Sequence, residues 1–119
     1  MKSSDAINII KSRNIGIDFC YIDGSHYYEN FKFDLENYSK IVTSVNEYKG
    51  ILCGDDYEVS YDELLEEFEK KDVDKTLEEH KITDWLIYGK FHFHPGITLA
   101  IHKTAIKVDK LPSGFWIAK

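Results

Sequence analysis

Three carboxylates and one imidazole carry the chemistry legible in this chain. Asp23 follows the run Ile17-Asp18-Phe19-Cys20-Tyr21-Ile22, and Asp55 with Asp56 follows Ile51-Leu52-Cys53-Gly54. If the two runs are neighbouring strands, about 4.8 Å apart, the three carboxylates converge on one volume. Clustered anionic oxygens repel one another unless a cation sits between them, and hard oxygen donors suit Mg²⁺, Mn²⁺ or Ca²⁺. Such an ion would bind a substrate hydroxyl or diol, lower its pKa and orient its oxygen for attack. The same residues have a structural use, because Asp-Gly is a turn dipeptide and Gly-Asp-Asp after a strand can cap a helix or line a turn. His26, three residues beyond Asp23, is a general base or ligand contact on one reading and a surface or capping histidine on the other. His92 and His94 alternate, so on a strand they would share a face and could enter a zinc site, but a third ligand is not evident.

The elements that must position these residues follow from periodicity. Residues 4–12 read as a short helix capped by Ser4. Ile17 to Ile22, β-branched and aromatic-rich, reads as a buried strand. From Ser25 to about Val45 the residues Tyr28, Phe31, Leu35, Tyr38, Val42 and Val45 step by three or four and share one helical face. Ile51-Leu52-Cys53 is a second strand. Strand, helix and strand make a βαβ unit with parallel strands, whose carboxyl edge is where open α/β sheets bind ligands. A further helix starts near Ser60, where Ser60 and Glu63 form a capping box. Glu66 to Glu79 reads as a solvated helical face. Trp85 to Phe93 fits a strand or an irregular excursion. Ile97 to about Thr104 reads as a helix, and Ile106–Val108 with Phe115–Ala118 as a terminal antiparallel hairpin.

Composition narrows the function. The chain of 119 residues has a net charge of −6, the wrong sign for a protein that neutralises phosphates or docks on an anionic membrane, so neither nucleic acid nor membrane is expected as a partner. Hydrophobic residues at 43% exclude a disordered chain. No signal peptide is evident, and Cys20 and Cys53 sit in apolar runs with no C-x-x-C pairing. Reduced, buried thiols and a cytoplasmic location are the expectation. The seven glycines form no G-x-G-x-x-G loop between a strand and a helix, so the chain has no self-contained Rossmann nucleotide site.

The segments Tyr21-Ile22-Asp23-Gly24-Ser25-His26-Tyr27-Tyr28-Glu29, Asp34-Leu35 and Gly50-Ile51-Leu52-Cys53-Gly54-Asp55-Asp56-Tyr57 together resemble a known family. It is the class I S-adenosylmethionine-dependent methyltransferases of the methyltransferase-24 group, similar to sugar and antibiotic O-methyltransferases and to cephalosporin-hydroxylase-like proteins. His94-Pro95-Gly96-Ile97-Thr98-Leu99-Ala100-Ile101 resembles the family's HPGVTLAV stretch, and Gly114 to Lys119 its closing strand. The likeness spans nearly the whole chain, with least support between Glu58 and Phe93.

The resemblance implies a Rossmann-like α/β sheet in which the two parallel strands are the family's fourth and fifth and the terminal hairpin its sixth and seventh. It implies that Asp23, Asp55 and Asp56 hold a divalent metal, Mg²⁺ first among candidates. It also implies that the loop Asp23-Gly24-Ser25-His26 lies beside the donor S-adenosylmethionine, that Asp23 and His26 serve catalysis, and that His26 assists deprotonation of a small-molecule or sugar hydroxyl. The family's first three strands and its glycine-rich donor loop have no counterpart here, and the usual Gly-Gly before the fifth strand is Lys49-Gly50. Residues 1–119 then correspond to the carboxyl-terminal part of a methyltransferase domain, a truncated enzyme lacking the amino-terminal cofactor-loop half. The rival expectation is a non-catalytic remnant, or a subunit completed by another chain, acting as a binding or homo-oligomerising module. A sheet cut beside the family's fourth strand should expose an apolar edge.

Overall fold

Strand, helix and strand form in the computed structural model where the sequence pattern changes from β-branched to helical period and back. The structure describes residues 6, 19–42 and 50–118. The expected helix over residues 4–12, the start of the first strand and the end of the following helix lie outside the described residues. Strand β1 (Phe19–Ile22), helix α1 (Tyr28–Val42) and strand β2 (Ile51–Gly54) are the observed unit. The strands are parallel, in the register Phe19↔Ile51 through Ile22↔Gly54. Helix α1 buries Tyr28, Phe31, Leu35 and Val42, each apolar side chain contributing about 1.5–3 kcal/mol of transfer free energy. Its Lys32 and Glu36 pair on the other side at 3.3 Å.

β1 is buried on one face only, which corrects the expectation of a buried strand. It is the outer strand of a four-stranded sheet ordered β1-β2-β6-β5. Ile22 is buried and Cys20 packs against the core, whereas Phe19 is 60% and Tyr21 42% exposed, together with Ile51 at 46%. Cys20 and Cys53 are free thiols of intermediate burial.

Beyond β2 the chain makes α2 (Tyr61–Glu67) and α3 (Lys70–Glu79). The Ser60 hydroxyl accepts from the Glu63 amide at 3.1 Å, as the capping sequence requires. The charged stretch is not one helix, because Phe68 leaves helical geometry at φ −133° and ψ 158°. Its ring packs on Tyr88 at 4.0 Å and meets Phe91 edge-on at 6.5 Å. Those partners belong to a hairpin of β3 (Leu86–Tyr88) and β4 (Phe91–Phe93) turned by Gly89-Lys90. Gly89 has φ +60°, and a Cβ there would lie 2.6 Å from Phe68 Cζ, so the turn needs glycine twice over. On α3 only Val73 and Leu77 are buried, and Lys70–Asp74 and Lys75–Glu79 pair along its wet side, as expected of a solvated face.

Helix α4 (Pro95–Lys103) begins two residues before the expected start, with proline in its first turn, where a missing amide costs nothing. Every residue from Pro95 to Ile101 is buried, and the helix packs on α1, α2 and α3. β5 (Val108–Lys110) and β6 (Trp116–Ala118) form the terminal hairpin, shifted along the first strand relative to the expectation. The loop Leu111–Phe115 closes it, with Ser113 at φ 63° and Gly114 at φ 84°. β6 inserts antiparallel between β2 and β5. Trp116 is fully buried over Gly54, where an added Cβ would lie 2.6 Å from the indole. No helix among the described residues is long and apolar enough to cross a membrane.

Candidate functional site

The register that pairs Ile22 with Gly54 sends Asp23 and Asp55 off the same sheet edge. Asp23 and Gly24 are exposed there. Ser25 turns the chain into α1, its Oγ accepting from the Tyr27 amide and from the Asn30 side-chain amide, both at 3.2 Å. That turn presents His26. Asp55 Oδ1 accepts from the Asp56 amide at 2.7 Å. Asp56 sits at φ 70°, a left-handed conformation that aspartate tolerates better than most residues. Tyr21, between the two strand ends, has its phenol pushed above the usual range by partial burial and then by the charges of Asp55, Asp23 and Asp56.

His26 lies between two carboxylates. Its Nε2 is 2.9 Å from Asp56 Oδ2 and its Nδ1 2.6 Å from Asp84 Oδ1. Burial alone would lower the His26 pKa, but the hydrogen bond to Asp84 and the charge of Asp56 outweigh it and the pKa is raised. The same hydrogen bond holds the Asp84 carboxyl below the usual carboxylate range.

Asp84 also orients a second imidazole. His94 Nδ1 donates to the Asp84 backbone carbonyl at 2.7 Å and lies 3.3 Å from Asp84 Oδ1. The His94 ring is 1% exposed and lies between the tilted rings of His26 at 3.9 Å and Trp85 at 3.8 Å. Its Nε2 has no hydrogen-bond partner and faces Asp56 Oδ1 at 3.5 Å and Glu58 Oε1 at 3.7 Å. Gly96 permits this approach. A Cβ at Gly96 would collide with the His26 carbonyl oxygen and lie 2.7 Å from the Tyr28 amide nitrogen.

The ligand atoms of His26, Asp56 and His94 lie within 4.8 Å of one another, the one such group of three or more among the described residues. Asp23 and Asp55 share the edge but stand outside that group. That group gathers two nitrogens and one carboxylate, while Asp23, Asp55 and Asp56 stand together at the strand ends of the same sheet edge. His92 is not on a shared face with His94, because β4 ends at Phe93 and His94 is the residue that opens α4; the His92 ring instead packs at a tilt on Trp85 at 4.6 Å. Asp84 and Glu58 were not singled out by the sequence. For His94 the usable signal was Pro95, which marks the start of a helix rather than the continuation of a strand.

No protein-family model matches this chain, and no curated protein and no solved structure matches it either.

Proposed function

We propose that this chain is the carboxyl-terminal part of an S-adenosylmethionine-dependent methyltransferase that methylates an oxygen of a small molecule or sugar. The observation that carries the reading is His26, held between Asp84 and Asp56 at the edge where both parallel strands end. A parallel pair joined by a helix and followed by a terminal antiparallel hairpin also agrees with the expected fourth to seventh strands.

The donor supplies an electrophilic methyl group on a sulfonium, and transfer breaks the sulfur–carbon bond as a carbon–oxygen bond forms. The acceptor hydroxyl must lose its proton, and His26 is the group to take it. Asp84 accepts from Nδ1–H, and in the neutral ring Nε2 then carries the lone pair that takes the proton, with the acceptor hydroxyl entering in place of the 2.9 Å contact to Asp56. Asp56 then stabilises the imidazolium that forms. On this reading a glycine-rich cradle for the donor would have to be supplied by residues other than these 119. The test is to express the chain together with the coding segment immediately upstream and to assay an isotopically labelled methyl donor against hydroxylated small molecules. Label transfer that falls about 10²–10⁴-fold in His26→Ala supports the reading. Transfer that is absent, or indifferent to His26, refutes it, and micromolar donor affinity in the 119 residues alone contradicts the split donor site.

A second reading rests on β1. Its exposed Phe19 and Tyr21, beside Ile51, suit a non-catalytic module that pairs with another copy or with a completing chain along the sheet edge.

A further inference from the structure

We infer that His26, Asp56 and His94 form a binding site for a borderline divalent transition metal of the Zn²⁺ class, with Asp84 as the group that orients both imidazoles. His94 carries the site. Its Nδ1 is committed as a donor, because the Asp84 carbonyl can only accept. Its Nε2 in the neutral ring is then a lone pair, 1% exposed, without a hydrogen-bond partner and directed at two carboxylates. A buried lone pair facing carboxylate oxygens is unfavourable unless a proton or a metal cation lies between them. His26 shares the orienting partner, with Nδ1 on the Asp84 carboxylate, and its Nε2 stands 2.9 Å from Asp56.

The spacing suits a metal. Ligands about 2.0–2.2 Å from a tetrahedral Zn²⁺ stand about 3.3 Å from one another. Asp56 reaches both rings, Oδ2 at 2.9 Å from His26 Nε2 and Oδ1 at 3.5 Å from His94 Nε2, and one ligand atom from each of the three residues lies within 4.8 Å of the others, a spread that a bound ion would draw in. Each histidine gives its second nitrogen to an oxygen of Asp84, the outer arrangement that fixes ring orientation and raises ligand basicity at metal sites. Asp56, Glu58 and Asp84 bring three negative charges around two imidazoles, so a divalent charge is the natural complement. Two imidazole nitrogens select a borderline ion over Mg²⁺ or Ca²⁺. Glu58 Oε1 is 3.7 Å from His94 Nε2 and its Oε2 is buried without a partner, so this carboxylate or a water is the candidate for a fourth ligand.

This inference does not depend on methyl transfer, and a metal on His26 Nε2 would occupy the lone pair that the base mechanism uses. The test is titration of the chelator-stripped full chain with Co²⁺, followed by visible absorption, and with Zn²⁺, followed by calorimetry. One equivalent should bind, with intense tetrahedral-type Co²⁺ bands, and millimolar Mg²⁺ should not displace it. His26→Gln and Asp56→Asn should each weaken binding by about 100-fold and Asp84→Asn by about 10–100-fold, whereas His92→Gln should leave it unchanged. His26 and Asp56 are only partly buried, so these variants should fold, which circular dichroism verifies. No stoichiometric binding, displacement by Mg²⁺, or unchanged affinity in both His26→Gln and Asp56→Asn overturns the site. Failure of label transfer leaves these titrations untouched, so the two readings fail separately.

Discussion

Replacing Asp84 by asparagine should uncouple the two histidines while keeping the fold. The backbone carbonyl that holds His94 Nδ1 at 2.7 Å is retained, and only the carboxylate charge 2.6 Å from His26 Nδ1 is lost. A hydrogen bond to a charged group contributes about 1.5–3 kcal/mol. The Asp84 side chain is 55% exposed, so solvent screening reduces the figure here to about 1 kcal/mol. The sign follows from the raised His26 pKa, whose ordinary value is 6.5. A raised histidine stabilises the fold fully below its unfolded pKa and loses that contribution as pH rises through its folded pKa. The Asp84 pKa is lowered from 3.8, so its own contribution is present above that value and lost as pH falls through the folded one. The wild type should therefore exceed Asp84→Asn by about 1 kcal/mol near pH 5.5, with the gap narrowing toward about pH 9. Urea unfolding of chelator-treated protein at both pH values measures this, and an NMR titration of the His26 ring should show its pKa falling in the variant. An equal stability difference at both pH values, or an unmoved His26 titration, would refute the coupling.

Three further outcomes follow from the packing. Gly96→Ala should cost about 1–3 kcal/mol in urea unfolding, because its Cβ meets the Tyr28 amide nitrogen at 2.7 Å and the Lys81 carbonyl oxygen at 3.2 Å. Ser60→Ala should cost about 1 kcal/mol by the same measurement, through loss of the 3.1 Å cap to the Glu63 amide. If β1 is an association edge, Phe19→Lys should lower the sedimentation-measured self-association of the chain, since Phe19 is 60% exposed on the outer strand.

Much of the framework was legible because it rests on local periodicity. The six-residue face Tyr28 to Val45 located α1, and Ser60 with Glu63 located the start of α2. The parallel pairing of β1 and β2 followed from the helix between them. What escaped depends on contacts distant in sequence. Phe68 breaks the charged helix because its ring fills the hairpin turn at Gly89, a partner that helical spacing cannot reveal. The composition of β1 suggests burial on both faces, but its place at the edge of the sheet formed by the described residues decides its exposure. At the site, Asp23, His26, Asp55 and Asp56 were legible as residues at strand ends. Asp84 was not, since nothing in its neighbourhood distinguishes it from the other acidic residues, and it reaches His26 only across 58 positions of chain.

The most direct test of the proposed activity is methyl-label transfer by the chain expressed with its upstream coding segment. The account predicts transfer to an acceptor hydroxyl that depends on His26, with a rate rising with pH through the raised His26 pKa. Transfer that persists at the same rate and with the same pH profile in His26→Ala would contradict it.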